Sequence, residues 1–324
     1  MRLILTNLMV LVLCTFVSLT LNIDSHNKPT IKKRGIGSFN LFVENFDCIN
    51  IPLTRAGKLL LIEARIDNEI GNLVFDTGAS GMVLNSTYFR DYVKSETKIS
   101  SGINGDIGSI QSITVDSINL GDISFRNVKA DIIELGHIEN SRGIKVLGLF
   151  GFSHLRNYEV IIDVINNQLT LIKVDKKGNR ITSCITPYTP DRVEPILESN
   201  NVVFFNGLIG GRIVKFCLDT GAEINSISNS LPKVALSTVS ITRRINLMGA
   251  GSTKKEVLYG VMNDFTFAGK QIEGMETIIT NLSTLENVYN MKFSGVVGFD
   301  FLNKGAIIIN IRKKQMGICY NNTK

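Results

Sequence analysis

Histidine is scarce: His26, His137 and His154 are the only three. Their spacing makes neither a metal site nor a nucleophilic triad, and His154 reads as structural. Cysteine is little richer. Cys14, Cys48, Cys184, Cys217 and Cys319 match no zinc pattern. Gly-x-Ser-x-Gly, His-Glu-x-x-His and the phosphate-binding loop are all absent, which removes several common hydrolase and nucleotide-binding classes. No basic run is longer than Lys32-Lys33-Arg34, and basic residues do not alternate with stacking aromatics. The net charge of +6 therefore reads as a solvated surface and not as a nucleic-acid stripe. Beyond the N-terminus no stretch is long and apolar enough to cross a bilayer. What remains is a chain of 324 residues, 44% hydrophobic and 20% charged, with material for two medium domains or one bilobal body.

The N-terminus stands apart. Met1-Arg2 precedes an apolar run from Leu3 to Leu21, and polar sequence begins at Asn22. The pattern predicts a signal peptide or N-terminal anchor over 1–22, with Ser18-Leu19-Thr20 as the best cleavage candidate. Left uncleaved, the run nearly spans a bilayer. Leu13 stands where a lipoprotein would need a small residue before Cys14. The body is expected to be exported, secreted or periplasmic. Residues 23–55 read as an N-terminal extension with an open propeptide role. Cys217 lies in an apolar strand and is expected to be a buried thiol. A Cys48–Cys184 disulfide is possible in an oxidising compartment and cannot be read from sequence.

The body reads twice. Leu73-Val-Phe-Asp-Thr-Gly-Ala-Ser80 returns as Phe216-Cys-Leu-Asp-Thr-Gly-Ala-Glu223, with Asp219 standing for Asp76. Gly148-Leu-Phe-Gly-Phe-Ser-His-Leu155 returns as Gly295-Val-Val-Gly-Phe-Asp-Phe-Leu302. The second offset exceeds the first by four, which a difference in loop length absorbs. Each aspartate follows a strand and a turn: Leu59 to Ile66 then Asn72 to Phe75, and Val203 to Ile209 then Ile213 to Leu218. Hairpins are predicted around Ile113–Phe125 and Val257–Phe267. A short helix is predicted over Tyr88 to Lys94, capped by Asn85 or Ser86, with helical turns after Gly151 and Gly298. Boundaries follow: one lobe over 56–175, a polar linker with three prolines over 176–200, a second lobe over 201–324.

Two aspartates in equivalent loops suit one chemistry. Carboxylates that share a water cannot both ionise, so they share a proton. One then serves as general base toward the water, and the protonated one hydrogen-bonds a carbonyl. The titration belongs to the pair. Asp76 and Asp219 are the candidate dyad. Gly78 and Gly221 permit the tight turn, and Thr77 and Thr220 can bond across the centre. Leu149-Phe150-Gly151 and Val296-Val297-Gly298 suit buried strands crossing beneath the loops. No cofactor is needed. Asp-Thr-Gly-Ala lacks the lysine of the phosphorylated-aspartate ATPase motif.

Asp-Thr-Gly-Ala followed by apolar-apolar-Gly resembles the retropepsin-like aspartic proteases, relatives of pepsin. The resemblance covers about 60–175 and 203–320. It implies an all-β fold of two β-barrel lobes in tandem, related by a pseudo-twofold axis, with the site between them, similar to tandem retropepsin-like proteins of bacteria. It implies an aspartic endopeptidase acting on an extended peptide or protein substrate. Ser153 departs from the family's usual aspartate, which Asp300 keeps. The family's flaps map onto Gly102–Ser109 and Met248–Ser252, with Gly105, Gly108, Gly249 and Gly251 as candidate flap glycines. Glu223, the counterpart of Ser80 in the repeat, could touch substrate backbone or sit on a charged loop.

Two rival readings exist: an exported, non-catalytic peptide-binding protein using the same cleft, and a homodimer pairing lobes between chains. The second is uneconomical, since one chain holds both halves, and a monomer is expected. Membrane contact would come only through an uncleaved N-terminal segment, and no nucleic-acid partner is expected. Ala79 and Ala222 stand where pepsin-like enzymes often carry a hydroxyl that supports the ionised dyad. Losing that support raises the pair's pKa values, so a weakly acidic to near-neutral optimum is expected. A pH–rate profile peaking at strongly acidic pH would overturn this.

Overall fold

Strand Leu59–Ile66 starts as a run buried on both faces and ends in alternation. Leu59 to Ile62 are buried, then Glu63 and Arg65 point outward between buried Ala64 and Ile66. Val202–Ile209, its counterpart in the repeat, follows the same burial sequence residue for residue. The first half of each strand is covered on both faces, and the second half on one. The computed structural model describes residues 10–11, 17–19, 48–102, 105–181, 184–249 and 251–321. It is all-β and bilobal.

Each lobe bends one set of strands around the strand that carries its aspartate. In the first, Leu59–Ile66 pairs with Glu69–Asp76, which pairs in parallel with Val146–Gly151. Val146–Gly151 is flanked on its other side by Met82–Asn85. In the second, Val202–Ile209, Arg212–Leu218, Gly295–Val297 and Asn225–Ser228 repeat the order. The difference in length between the copies lies before the long hairpins. Lobe one passes from Met82–Asn85 directly into the helix Ser86–Phe89. Lobe two places residues 229–232 between Asn225–Ser228 and the helix Lys233–Leu236. Further on, Phe265–Phe267 pairs with Lys270–Ile272, as Ile118 to Leu120 pair with Ile123 to Phe125 in lobe one. Phe265, Phe267 and Phe301 pack edge-to-face there, and Phe205 stacks on Phe301, filling the second core.

A six-stranded antiparallel sheet joins the lobes. Its order is Arg192–Ser199, Gln315–Tyr320, Gly305–Asn310, Tyr158–Asp163, Gln168–Lys173 and Cys48–Pro52. The central seam pairs Val160 with Ile309 and Ile162 with Ile307. Val160 and Ile307 are equivalent in the repeat, as are Ile162 and Ile309. Each pair is therefore the image of the other, and the register itself obeys a twofold relation. One apolar cluster runs through this sheet into both lobes.

Three expectations need amendment. Cys48–Pro52 and Thr54–Ala56 are strands within the stretch read as an extension. Ile51 and Leu53 are buried, so the platform sheet claims them. Arg192–Ser199 is a strand inside the stretch read as linker. Its Pro195 sits where the strand leaves Gln315–Tyr320 for Val202–Ile209, a place where a missing N–H is tolerated. The short helix is Ser86–Phe89, not Tyr88 to Lys94. Asn85 caps it by accepting from the Thr87 amide. The helical turns after Gly151 and Gly298 form as expected, at Phe152–Leu155 and Phe299–Leu302.

The N-terminal run contributes Val10–Leu11, parallel to Leu247–Met248, and Val17–Leu19, antiparallel to Ile99–Ser101. The rest of 1–47 lies outside the described residues. Among the described residues no helix is long and apolar enough to span a membrane. Cys48 and Cys184 form a disulfide, while Cys217 is a free, buried thiol. The bridge spans a sequence separation of 136 and ties the edge of the platform sheet to the chain between the lobes. Cys48→Ser should cost about 2–4 kcal/mol of stability, read as a lowered midpoint in denaturant. An unchanged midpoint, or a peptide map linking other cysteines, would contradict this.

Candidate active site

Strand Glu69–Asp76 ends on Asp76 and Arg212–Leu218 ends one residue before Asp219. Both strands are core strands, so each aspartate is delivered by a rigid element into a fully buried position. The loops then turn back under their own carboxylates. Asp76 accepts from the Gly78 amide at 2.9 Å and the Ala79 amide at 3.1 Å through Oδ1. Asp219 Oδ1 accepts from the Gly221 amide at 2.8 Å. A Cβ added at Gly221 would stand 2.8 Å from Asp76 Cγ. The Asp76 carboxylate therefore lies directly against the other lobe's turn, and only glycine leaves room for it.

The threonines lock the turns together. The Thr77 amide donates to Thr220 Oγ1 at 2.9 Å, and the Thr220 amide donates to Thr77 Oγ1 at 3.0 Å. Each hydroxyl passes its own proton onward, Thr77 to the Leu218 carbonyl at 2.9 Å and Thr220 to the Phe75 carbonyl at 2.6 Å. All four hydrogen bonds cross the lobe interface beside the aspartates. Their groups are buried, so none can be exchanged for water without loss.

The glycines of the second landmark fit beneath. Gly151 pairs opposite Asp76, and a Cβ there would meet the Gly81 and Ala79 carbonyls at 2.3 and 2.5 Å. Gly298 is tighter, with the Ala222 carbonyl at 2.0 Å from its would-be Cβ. The Val297 carbonyl accepts from the Asp219 amide at 3.0 Å. The expected crossing of an apolar-apolar-Gly strand under each loop is present.

Electrostatics sets the pair's behaviour. Burial pushes the Asp76 carboxyl well above the ordinary carboxylate range. The charge of Asp219 and a hydrogen bond with it push the same way, and the Gly78 and Ala79 amides only partly oppose them. Ala79 and Ala222 are buried and bring no hydroxyl to the pair. The Cys217 thiol, just before Asp219 in the chain, is raised by burial first and then by both aspartates. It is held as an inert thiol. His154 stacks on Phe150 and meets Phe125 edge-on, and burial lowers its pKa to about 4. It is a neutral core residue.

The candidate flap glycines lie on two long hairpins. Gly105 opens strand Gly105–Leu120 opposite Gly102, and Gly108 pairs with Ser100. Gly249 and Gly251 pair across the second turn. The side chains of 96–109 and 248–255 lie outside the described ones. Strands Gly105–Leu120 and Gly251–Met262 contact each other, so the hairpins meet.

Glu223 does not sit on an open charged loop. It is buried and pairs with Arg142 of the first lobe. Its Oε2 also accepts from the Lys58 amide at 3.2 Å. Burial raises its pKa, with Arg142 and Lys58 opposing. The Lys58 side chain reaches Glu276 and Asp300, both at 2.8 Å. Burial lowers the Lys58 pKa, but these acids outweigh it and the net shift is upward. Asp300 also accepts from the Glu276 amide at 2.7 Å. Ser153, its counterpart in lobe one, is neutral and cannot form such an ion pair. Arg142 and Lys58 escaped sequence reading, because their partners lie across the interface. Among the described residues no cluster of histidine, cysteine or carboxylate side chains could hold a metal.

Residues 62–153 match the family model described as aspartyl protease. That span holds Asp76, Thr77, Gly78 and the crossing strand. The chain is also similar to the crystal structure of aspartic proteinase from Irpex lacteus, with a TM-score of 0.51 and 12% identity, covering 85% of this chain and 98% of that one. The fold is that of an aspartic proteinase. No curated protein matches the chain by sequence. With so little identity, the aspartic proteinase likeness carries the two-lobed architecture, while the Asp-Thr-Gly geometry is this chain's own. In this aspartic proteinase fold, the raised Asp76 pKa has a definite consequence for stability. A carboxyl whose pKa is higher folded than unfolded favours the native state below the unfolded value. That advantage is lost as pH rises through the folded pKa. Asp76→Asn removes the penalty, so its thermal midpoint should gain on wild type from about pH 4 upward. Calorimetry across pH checks the sign: a gain that shrinks as pH rises would refute it.

Proposed function

We propose that the chain is an aspartic-type endopeptidase that hydrolyses peptide bonds with a water activated by Asp76 and Asp219. The observation that carries the reading is the pair itself. Two buried carboxylates from different lobes face each other, tied by crossed threonines, with Asp76 pushed toward its protonated form by burial and by its partner. Such a pair holds one proton over a range where ordinary carboxylates hold none. The ionised member takes a proton from the water as it attacks the scissile carbonyl. The protonated member hydrogen-bonds the carbonyl oxygen and stabilises the charge that develops there. Collapse of the tetrahedral intermediate then passes a proton to the leaving amine.

An extended peptide lying between the lobes would pair by β-type hydrogen bonding. The hairpins with Gly105, Gly108, Gly249 and Gly251 at or near their tips would close over it and exclude water. Thr77, Gly78, Thr220 and Gly221 support the dyad. The enzyme works as a monomer, because one chain supplies both halves, and needs no cofactor. With a signal peptide or anchor at 1–22, it acts outside the cytoplasm, on peptide or protein substrates.

Digestion of a peptide library by the purified protein across pH tests this. Asp76→Asn and Asp219→Asn should each lower kcat by roughly 10²–10⁴-fold or more, with folding intact. No cleavage by wild type at any pH, with peptide binding unaffected by either substitution, would instead identify a binding protein that keeps the fold.

A further inference from the structure

Two short helices, Gly136–Arg142 in the first lobe and Ser283–Tyr289 in the second, occupy equivalent places. They stand in the chain at the same offset as the two downstream glycine landmarks. Each is docked by an equivalent glutamate. Glu139 accepts from the Val146 amide at 2.8 Å, and Glu286 accepts from the Phe293 amide at 3.3 Å. Each ends on a left-handed cap, Gly143 at φ 66° and Asn290 at φ 48°. Docking and cap together fix the direction of the last helical side chain. Those side chains are Arg142 and Tyr289.

Both leave their own lobe. Arg142 pairs with Glu223, which follows Asp219-Thr-Gly-Ala in the second lobe. The Tyr289 hydroxyl donates to the Gly78 carbonyl at 3.0 Å, within the Asp76-Thr-Gly turn of the first lobe. Tyr289 is fully buried. A hairpin turn of the same lobe reinforces each contact. The Lys58 amide donates to Glu223, and the Asn201 side chain donates to the Ser80 carbonyl at 2.9 Å. Lys58 and Asn201 stand at the same offset as the two aspartates, and so do Ser80 and Glu223. The grip is reciprocal in geometry and different in chemistry. It is ionic on the Asp219 loop and neutral on the Asp76 loop.

We infer that Arg142 and Tyr289 are positioning residues, each holding the other lobe's Asp-Thr-Gly loop so that the two carboxylates meet at working distance. The inference rests on the endopeptidase reading above. The threonines fix the loops where they touch, while Tyr289 and Arg142 hold residues further along the same loops, Gly78 and Glu223. Without the second anchor a loop can pivot about the threonine bonds and carry its aspartate with it. Small displacements of a reacting group are costly: about 1 Å can mean 10²-fold in rate.

The decisive variants are Tyr289→Phe, which keeps the ring and removes one hydroxyl, and Arg142→Lys against Arg142→Met. Kinetics on a cleaved peptide should show Tyr289→Phe losing roughly tenfold, and Arg142→Met roughly a hundredfold, in kcat. KM should stay within about twofold, and Arg142→Lys should recover part of the loss. Phe267→Leu, in the lobe-two core away from the loops, serves as a control of comparable instability and should keep its kcat. Arg142→Met leaves Glu223 buried without its partner and can fail to fold. Tyr289→Phe and Arg142→Lys then carry the test. Unchanged kcat in these two, or an equal loss in Phe267→Leu, overturns the inference. If wild type cleaves nothing, the endopeptidase reading falls by itself, and the positioning claim is read from the dyad's titration by carbon NMR of labelled aspartate. Apparent pKa values shifted in Tyr289→Phe but not in Phe267→Leu support it, and values alike in all three proteins overturn it.

Discussion

Everything near the site depends on the exchange of hydrogen bonds between Thr77 and Thr220. Each threonine offers its amide to the other's hydroxyl, and each hydroxyl donates to a carbonyl behind the other lobe's aspartate. The arrangement satisfies every donor only when both lobes are in place. Separated, each lobe would expose or orphan those groups. The pairing of the lobes and the pairing of the carboxylates are therefore one condition.

That condition is expensive. Two buried acids repel when ionised, and burial alone disfavours their charged forms. A weak interface would relieve the strain by letting the lobes part. Here the six-stranded sheet prevents it. Its seam, Val160 opposite Ile309 and Ile162 opposite Ile307, is buried on both faces and continuous with the cores above. The sheet sets the coarse alignment, the threonines set the fine one, and the contacts of Lys58, Arg142, Asn201 and Tyr289 brace the loops across the interface.

Much of this was legible in one dimension. Asp76 and Asp219 were marked by identical neighbours, and Gly151 and Gly298 by equal spacing from an apolar pair. These signals are local, because a tight turn and a strand crossing beneath it demand glycine whatever surrounds them. The strands before each aspartate were equally clear from their apolar runs. Strand Arg192–Ser199 was not, since its proline and charges resemble a linker and its partners come from two different sheets. Cys48–Pro52 was hidden for a similar reason, as its pairing partner, Gln168–Lys173, lies far along the chain.

By itself the sequence determined the two Asp-Thr-Gly-Ala loops, the glycines that let backbone pass under them, and the buried positions that hold them, because each is a demand of local backbone geometry. Tertiary structure alone decided which residues brace those loops. Arg142 and Tyr289 are equivalent in place and unlike in kind, so no repeat of residue type announces them. Glu223 could be read as a surface charge or a substrate contact until Arg142 and the Lys58 amide were seen to meet it. The physical reason is range. A turn is specified by its nearest neighbours along the chain, but an ion pair or hydrogen bond across an interface exists only after two lobes have folded and docked.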